Sequence, residues 1–215
     1  MMIMKAIKEN KRFILLLCLM FIFRSSIADW NSVPTGSMKP TIIEGDRILV
    51  NKMAYDVHLP FTHISVLKLA DPKRGDIVIF DSKQSNIRLV KRVIGLPGDT
   101  IELNDNRLSI NGVHLNYQDD EKNIAYWDKV EDLFGVEHHI RVRKPHGSYF
   151  SSFKPVVVPE DHYLVLGDNR DNSADSRVIG FVPRGEIIGR SRHVVMSLNY
   201  DNFYLPRKSR FFHRL

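Results

Sequence analysis

Ile87-Arg88-Leu89-Val90-Lys91-Arg92-Val93-Ile94 is the stretch that decides the fold class, because its side chains sort cleanly only as a strand. Successive side chains of a strand point to opposite faces. Ile87, Leu89, Lys91 and Val93 therefore share one face, while Arg88, Val90, Arg92 and Ile94 share the other. Lys91 is the only charge on an apolar face. One reading is that its aliphatic stem snorkels to the sheet edge. The other is that a dry site holds its amine neutral, which would make it a base. Gly95, Pro97, Gly98 and Asp99 end the strand in a tight turn.

The pattern repeats outward from there. Arg47–Lys52, Asp76–Phe80, Thr100–Leu103, Tyr163–Leu166 and His193–Ser197 read as further strands, punctuated by Gly, Pro, Asn and Asp. Arg107 to Leu115 reads as a hairpin, since Asn111-Gly112 between apolar runs suits a type I′ turn. Long amphipathic helices are absent beyond the N-terminus. The prediction is a mainly β protein, a sheet-rich barrel or sandwich. Asn116–Pro155 differs in composition: an acidic cluster at Asp119, Asp120 and Glu121 precedes aromatics and a basic run from His138 to His146. It is expected to be a β cap with irregular loops, inserted into the sheet domain. Tyr55–Asp71 is a smaller excursion.

Pro34-Thr35-Gly36-Ser37-Met38-Lys39-Pro40-Thr41 lies 54 residues before Lys91 when counted from its serine. A serine hydroxyl is a weak nucleophile until a neighbouring base takes its proton. Gly36 lets backbone approach a substrate carbonyl, and flanking hydroxyls can donate to a developing oxyanion. Pro34 and Pro40 stiffen the loop. Gly167-Asp168-Asn169-Arg170-Asp171-Asn172-Ser173-Ala174-Asp175-Ser176-Arg177 has aspartates at calcium-loop spacing. Arg170 at a ligand place, Ser173 at the turn glycine and the charge of Arg177 argue against calcium. A turn held by Asp–Arg pairs is the alternative.

Four blocks occur in order: PTGSMKPT, GDRILVNK at Gly45–Lys52, KRVIGLPGD at Lys91–Asp99, and GDNRDNSADSRVIGFVP at Gly167–Pro183. Together they resemble the bacterial type I signal peptidases, serine peptidases with a Ser/Lys dyad, over most of the chain beyond its N-terminus. The resemblance implies Ser37 as nucleophile and Lys91 as general base. It implies the Ser37 N–H and the Thr35 hydroxyl as oxyanion hole, and Ser173 as the group orienting the lysine, with Asp175 and Arg177 behind the site. Val33, Met38 and Val90 are the expected pocket-lining residues. Asn31 departs from the family pattern, which is apolar there. No metal and no cofactor are implied. The implied partners are preproteins with small residues at −1 and −3, the lipid bilayer and, as a further candidate, the secretion machinery. A pilin-maturation peptidase of the same fold and an inactive membrane-bound binding module are the alternatives.

The N-terminus carries Lys5, Lys8, Lys11 and Arg12, then eleven apolar residues from Phe13 to Phe23, then Arg24. Eleven helical residues span about 16 Å, short of a ~30 Å hydrocarbon core. Ser26 and Ala28 would suit a cleaved leader. The retained reading extends an anchor through Ala28, with Arg24 snorkelling and Trp30 at the interface. The preceding basic residues predict a cytoplasmic N-terminus and a catalytic domain on the periplasmic face of the bacterial inner membrane. The expected division is therefore residues 1–28 as anchor, 29–115 and 156–215 as catalytic β domain, and 116–155 as cap.

The whole chain has 215 residues, a net charge of +6 and one cysteine, Cys18, within the apolar run. An internal disulfide and a cysteine-based zinc site are excluded. Ser65-Val66-Leu67-Lys68 spells SxxK without the SDN and KTG elements that accompany that motif. His58, His63, His138, His139 and His146 lack metal spacing and are expected on the surface or in loops. Basic charge is diffuse, so no nucleic-acid partner is expected. The tail after Ser197 mixes Tyr200, Phe203, Tyr204, Phe211 and Phe212 with Arg207, Lys208, Arg210 and Arg214, which suits a lipid headgroup surface.

Overall fold

The computed structural model describes residues 10–62, 64–144 and 148–215, without the side chains of residues 121 and 122. Lys5, Lys8, His63 and His146 lie outside the described residues. The fold is mainly β. Helix α1 spans Lys11–Ser26 and a single helical turn, α2, spans Ser176–Ile179.

The main sheet is antiparallel and runs in the order β1 (Ala28–Ser32), β2 (Asp46–Asn51), β16 (Ile187–Asn199), β5 (Ile77–Ser82), β6 (Ile87–Gly95), β14 (His162–Leu166), β15 (Val182–Pro183). Two short strands, β17 (Leu205–Pro206) and β18 (His213–Arg214), pair with the far half of β16. Its centre is buried on both faces. On β5, Ile77 and Ile79 pack with Val33, Met38, Ile42, Ile48, Val50 and Val194, while Val78 and Phe80 pack with Tyr55, Val93, Tyr163 and Val165. Nearer the edge, β2 alternates buried Asp46, Ile48 and Val50 with exposed Arg47, Leu49 and Asn51. This is the pattern of a sheet covered on one side only.

A second sheet joins β13 (Phe153–Val157), β7 (Thr100–Asn104), β8 (Arg107–Ile110) and β9 (Val113–His114). The Asn111-Gly112 turn has both residues at positive φ, 52° and 79°, as a type I′ hairpin requires. A third, β10 (Asn116–Lys122), β11 (Tyr126–Asp132) and β12 (Glu137–Arg143), forms an antiparallel meander from the compositionally distinct segment. A two-stranded ribbon, β3 (Asp56–His58) and β4 (Ser65–Lys68), makes the smaller excursion.

The structure bears on four of the sequence expectations. The helix stops at Ser26, and Ala28 already pairs with Asn51, because Lys52 caps the helix with bonds to the Arg24 and Ser25 carbonyls. His138 is neither on the surface nor in a loop: it sits in β12 and is 6% exposed. In the tail, Arg210 grips Asp46 with two bonds and Arg207 donates to the Glu44 and Leu198 carbonyls, so these two cations are engaged within the fold. Phe203, Tyr204 and Phe212 remain exposed. Boundary 155/156 falls inside β13, which belongs to the second sheet.

Candidate active site

The loop after β1 is tied at its ends before it carries Ser37. Val33 N–H donates to the Asp46 carbonyl and Gly45 N–H to the Val33 carbonyl. Met38 and Ile42, 1% and 0% exposed, plug the loop into the core beneath it. A Cβ on Gly36 would lie 2.6 Å from the Glu44 carboxylate, the end of a side chain that can swing aside. Ser37 is left half-buried and Thr35 exposed.

Strand β6 presents Lys91 to this loop. Its Nζ lies 2.9 Å from Ser37 Oγ and also donates to the Val90 carbonyl at 3.0 Å. Lys91 is 2% exposed, and its register partner across the sheet is the fully buried Val78. Burial pushes the ammonium pKa down from 10.5 to about 8, against the pull of Asp175 and Asp168. The pull of those acids is shared, because each has an arginine of its own. Arg92 forks onto Asp168 at 2.8 and 2.7 Å, and Arg177 onto Asp175 at 2.8 and 2.7 Å. The Asp168 carboxyl stays below the usual carboxylate range: burial alone would raise it, but Arg92 outweighs that.

Arg92 shares the face opposite Lys91, as expected, yet it is 4% exposed and not solvated. Asp175 also accepts from Gly167 N–H, which fixes the bend of the segment behind Lys91. Gly167 is needed there: a Cβ would lie 2.2 Å from Ser173 Oγ and 2.5 Å from the Ser37 carbonyl oxygen. Ser173 Oγ is thus buried against Gly167. Among the described residues it has no hydrogen-bond partner and makes none with Lys91. Val33, Met38 and Val90 do come together, but in the hydrophobic cluster under the loop, with Val33 4% exposed.

Sequence reasoning passed over two groups. Asn169 donates from its side chain to the Gly36 carbonyl at 2.9 Å and from its backbone to the Ser37 carbonyl at 3.0 Å. Arg170 and Glu131, both wholly buried, pair across the cap and the Gly167–Arg177 segment, joined by Tyr117 and His138. Each asparagine or arginine was visible in its motif, but the spacing carries no sign of its partner.

A buried lysine amine within hydrogen-bond reach of a serine hydroxyl can take that proton once it is neutral. Comparison with known proteins places the chain in a family. The family model described as "Signal peptidase, peptidase S26" matches residues 6–196. The signal peptidase I of Pseudomonas fluorescens is 37% identical over 227 residues, covering 95% of this chain and 78% of that protein. That of Pseudomonas aeruginosa is 34% identical over 207 residues, covering 89% and 72%. A crystal structure of a signal peptidase I from Enterococcus faecalis V583 is 33% identical, with a TM-score of 0.38 over 57% of this chain and 98% of that one. The two sequence relatives and the family match suffice: this chain belongs to the signal peptidase family, peptidase S26, and is a hydrolase of that family.

Proposed function

We propose that this protein is a membrane-anchored serine endopeptidase that removes signal peptides from exported preproteins through a Ser37/Lys91 dyad. The observation that carries the reading is the 2.9 Å approach of a buried lysine amine to the Ser37 hydroxyl. Neutral Lys91 takes the Ser37 proton as Oγ attacks the carbonyl carbon of the residue before the cut. The proton then passes to the leaving amine, and Lys91 deprotonates the water that hydrolyses the acyl-enzyme. The Ser37 N–H and the exposed Thr35 hydroxyl receive the charge that develops on the carbonyl oxygen. Asp175 and Arg177 hold the rear wall, and Ser173 packs against Gly167. Small residues at −1 and −3 of the substrate are the expected preference, as the family resemblance implies.

The base must be unprotonated to act, so kcat/KM on a preprotein should rise about tenfold per pH unit below about 8 and level off above it. Burial depresses this lysine, so the active form gains as pH rises through that value. A profile flat from pH 6 to 9 would overturn Lys91 as base.

The anchor reading rests on α1. Phe13, Leu15, Leu16, Leu19, Phe21 and Phe23 are each more than half exposed, and the helix is apolar on every side. No helix of the described residues is itself long and apolar enough to cross a membrane. Arg24 pairs with Asp29 at 3.0 Å and lies over the Trp30 ring, an arrangement suited to the headgroup boundary. Lys11 and Arg12 precede the apolar run, consistent with a cytoplasmic N-terminus and a periplasmic active site. The protein should resist alkaline extraction from membranes and keep its N-terminal segment by intact mass. A mature chain beginning at Asp29 would make the segment a leader instead.

A further inference from the structure

We infer that Asn169 is a positioning residue, aiming the Ser37 N–H at the reacting carbonyl; the inference rests on the reading of Ser37 as nucleophile. One residue grips two consecutive carbonyls. Asn169 Nδ2 donates to the Gly36 carbonyl at 2.9 Å, and its backbone N–H donates to the Ser37 carbonyl at 3.0 Å. The Gly36 carbonyl and the Ser37 N–H belong to a single planar peptide unit and point in opposite directions. Holding the oxygen toward Asn169 therefore turns the N–H away from it. Among the described residues that N–H has no protein acceptor, so it is free for a substrate oxygen. A donor on the carbonyl also polarises the peptide and strengthens its N–H as a donor.

The Gly36 carbonyl has one other partner, the Lys39 N–H at 3.1 Å, which closes the local turn. That bond comes from within the loop and moves with it. Asn169 ties the loop to something outside. Its amide must face the carbonyl with nitrogen, because its oxygen there would oppose another acceptor.

Asn169 is itself held rigidly. Arg141 of β12 donates to the Asp168 carbonyl at 2.8 Å and accepts from the Arg170 N–H at 2.9 Å, so Asn169 forms a parallel bridge with the cap strand. Its neighbours are locked by the Asp168–Arg92 and Arg170–Glu131 pairs. The segment is thus a splint between the cap and the nucleophile loop. Its near edge touches that loop backbone to backbone, as the 2.5 Å from a Gly167 Cβ to the Ser37 oxygen shows. Sub-ångström misplacement of an oxyanion donor is costly to rate, which gives such a splint a purpose.

The test uses the full-length protein with Asn169→Ala, Asn169→Asp, Thr35→Val and Ser37→Ala. Rates on a preprotein are expressed per active site, titrated with an acylating probe. Asn169→Ala should lower kcat per active site about 10–100-fold with KM within about threefold. That is less than the ~10²–10³ expected for Thr35→Val, which removes a donor outright. The midpoint of the pH profile should not move, because the Lys91 surroundings are intact. Asn169→Asp, equal in size, should be slower than Ala, since it sets an anion against the Gly36 carbonyl. A merely structural role would lower the titrated fraction and leave the rate per site unchanged, and that result overturns the inference. So does Asn169→Asp at the parental rate. Activity retained by Ser37→Ala would instead remove the reading of Ser37 beneath it.

Discussion

Lys91→Met is expected to abolish preprotein cleavage, lowering kcat/KM by at least about 10²–10⁴ while the protein stays folded. Methionine matches the lysine stem in volume and suits the apolar surroundings of Val78 and Val93, so loss of activity cannot be ascribed to a cavity. Its effect on stability should have the opposite sign. A pKa lowered from 10.5 to about 8 means that folding disfavours the ammonium by about 3 kcal/mol. For a lysine depressed by burial, that cost is full below about pH 8 and fades as pH rises toward 10.5, where the unfolded side chain also loses its proton. At neutral pH the methionine variant should accordingly melt no lower than the parent. Lys91→Arg should be equally inactive, because arginine keeps its proton throughout this range. Initial rates on a radiolabelled preprotein, beside a thermal melt, decide the matter. Turnover by Lys91→Met within tenfold of the parent would leave the dyad without its base.

Glu131→Gln should cost the fold about 3–5 kcal/mol, the usual price of stranding one member of a buried pair. Glu131 and Arg170 are both fully buried, with the Arg170 Nη1 contact at 2.9 Å, and the guanidinium has no water to turn to when the carboxylate is gone. Tyr117, which donates to the same carboxylate and to which the Leu108 N–H donates, would be loosened with it. At roughly 2–4 °C per kcal/mol for a chain of this size, the melting temperature should fall by about 6–20 °C. The apolar pair Glu131→Leu with Arg170→Met should recover most of that, since it removes both charges together. Acid should act like the glutamine variant. Burial would raise the Glu131 pKa, but Arg170 and His138 hold it far below 4.5, so its stabilisation is complete above about pH 4.5 and is lost as pH falls from there. Chemical denaturation of each variant supplies the measurement. A Glu131→Gln protein within 1 kcal/mol of the parent would mean that the cap is not clamped through this pair.

Much of the fold was legible locally. Alternation on 87–94 predicted β6, and the observed strand runs Ile87–Gly95. The Asn111-Gly112 turn and the strands about Arg47, Thr100 and Tyr163 appear within a residue or two of their expected places. Strand β16 was seen only in its second half, because Ile187–Arg192 contains Gly189, Arg190 and Arg192 and lacks clean alternation. Its register with β5 and β2 holds it as a strand regardless. Strand β1 was hidden for a different reason: Ala28–Ser32 has no strand-like composition and forms by pairing with β2.

By itself, then, the sequence determined the strand that carries Lys91, the bent loop that carries Ser37, and the ordered blocks that mark the family. These features depend on neighbours in the chain, and periodicity of two or a fixed motif reports them directly. Only the tertiary structure decided what those residues meet. The Asn169–Gly36 bond joins residues 133 apart, the Arg170–Glu131 bond residues 39 apart, and the Arg92–Asp168 fork residues 76 apart. In sequence, Arg92 reads as a charge on the far strand face, Arg170 as part of a turn held by Asp–Arg pairs and Asn169 as a turn residue. Burial makes each of them need a partner, and the partner is chosen by which strands the sheet brings side by side.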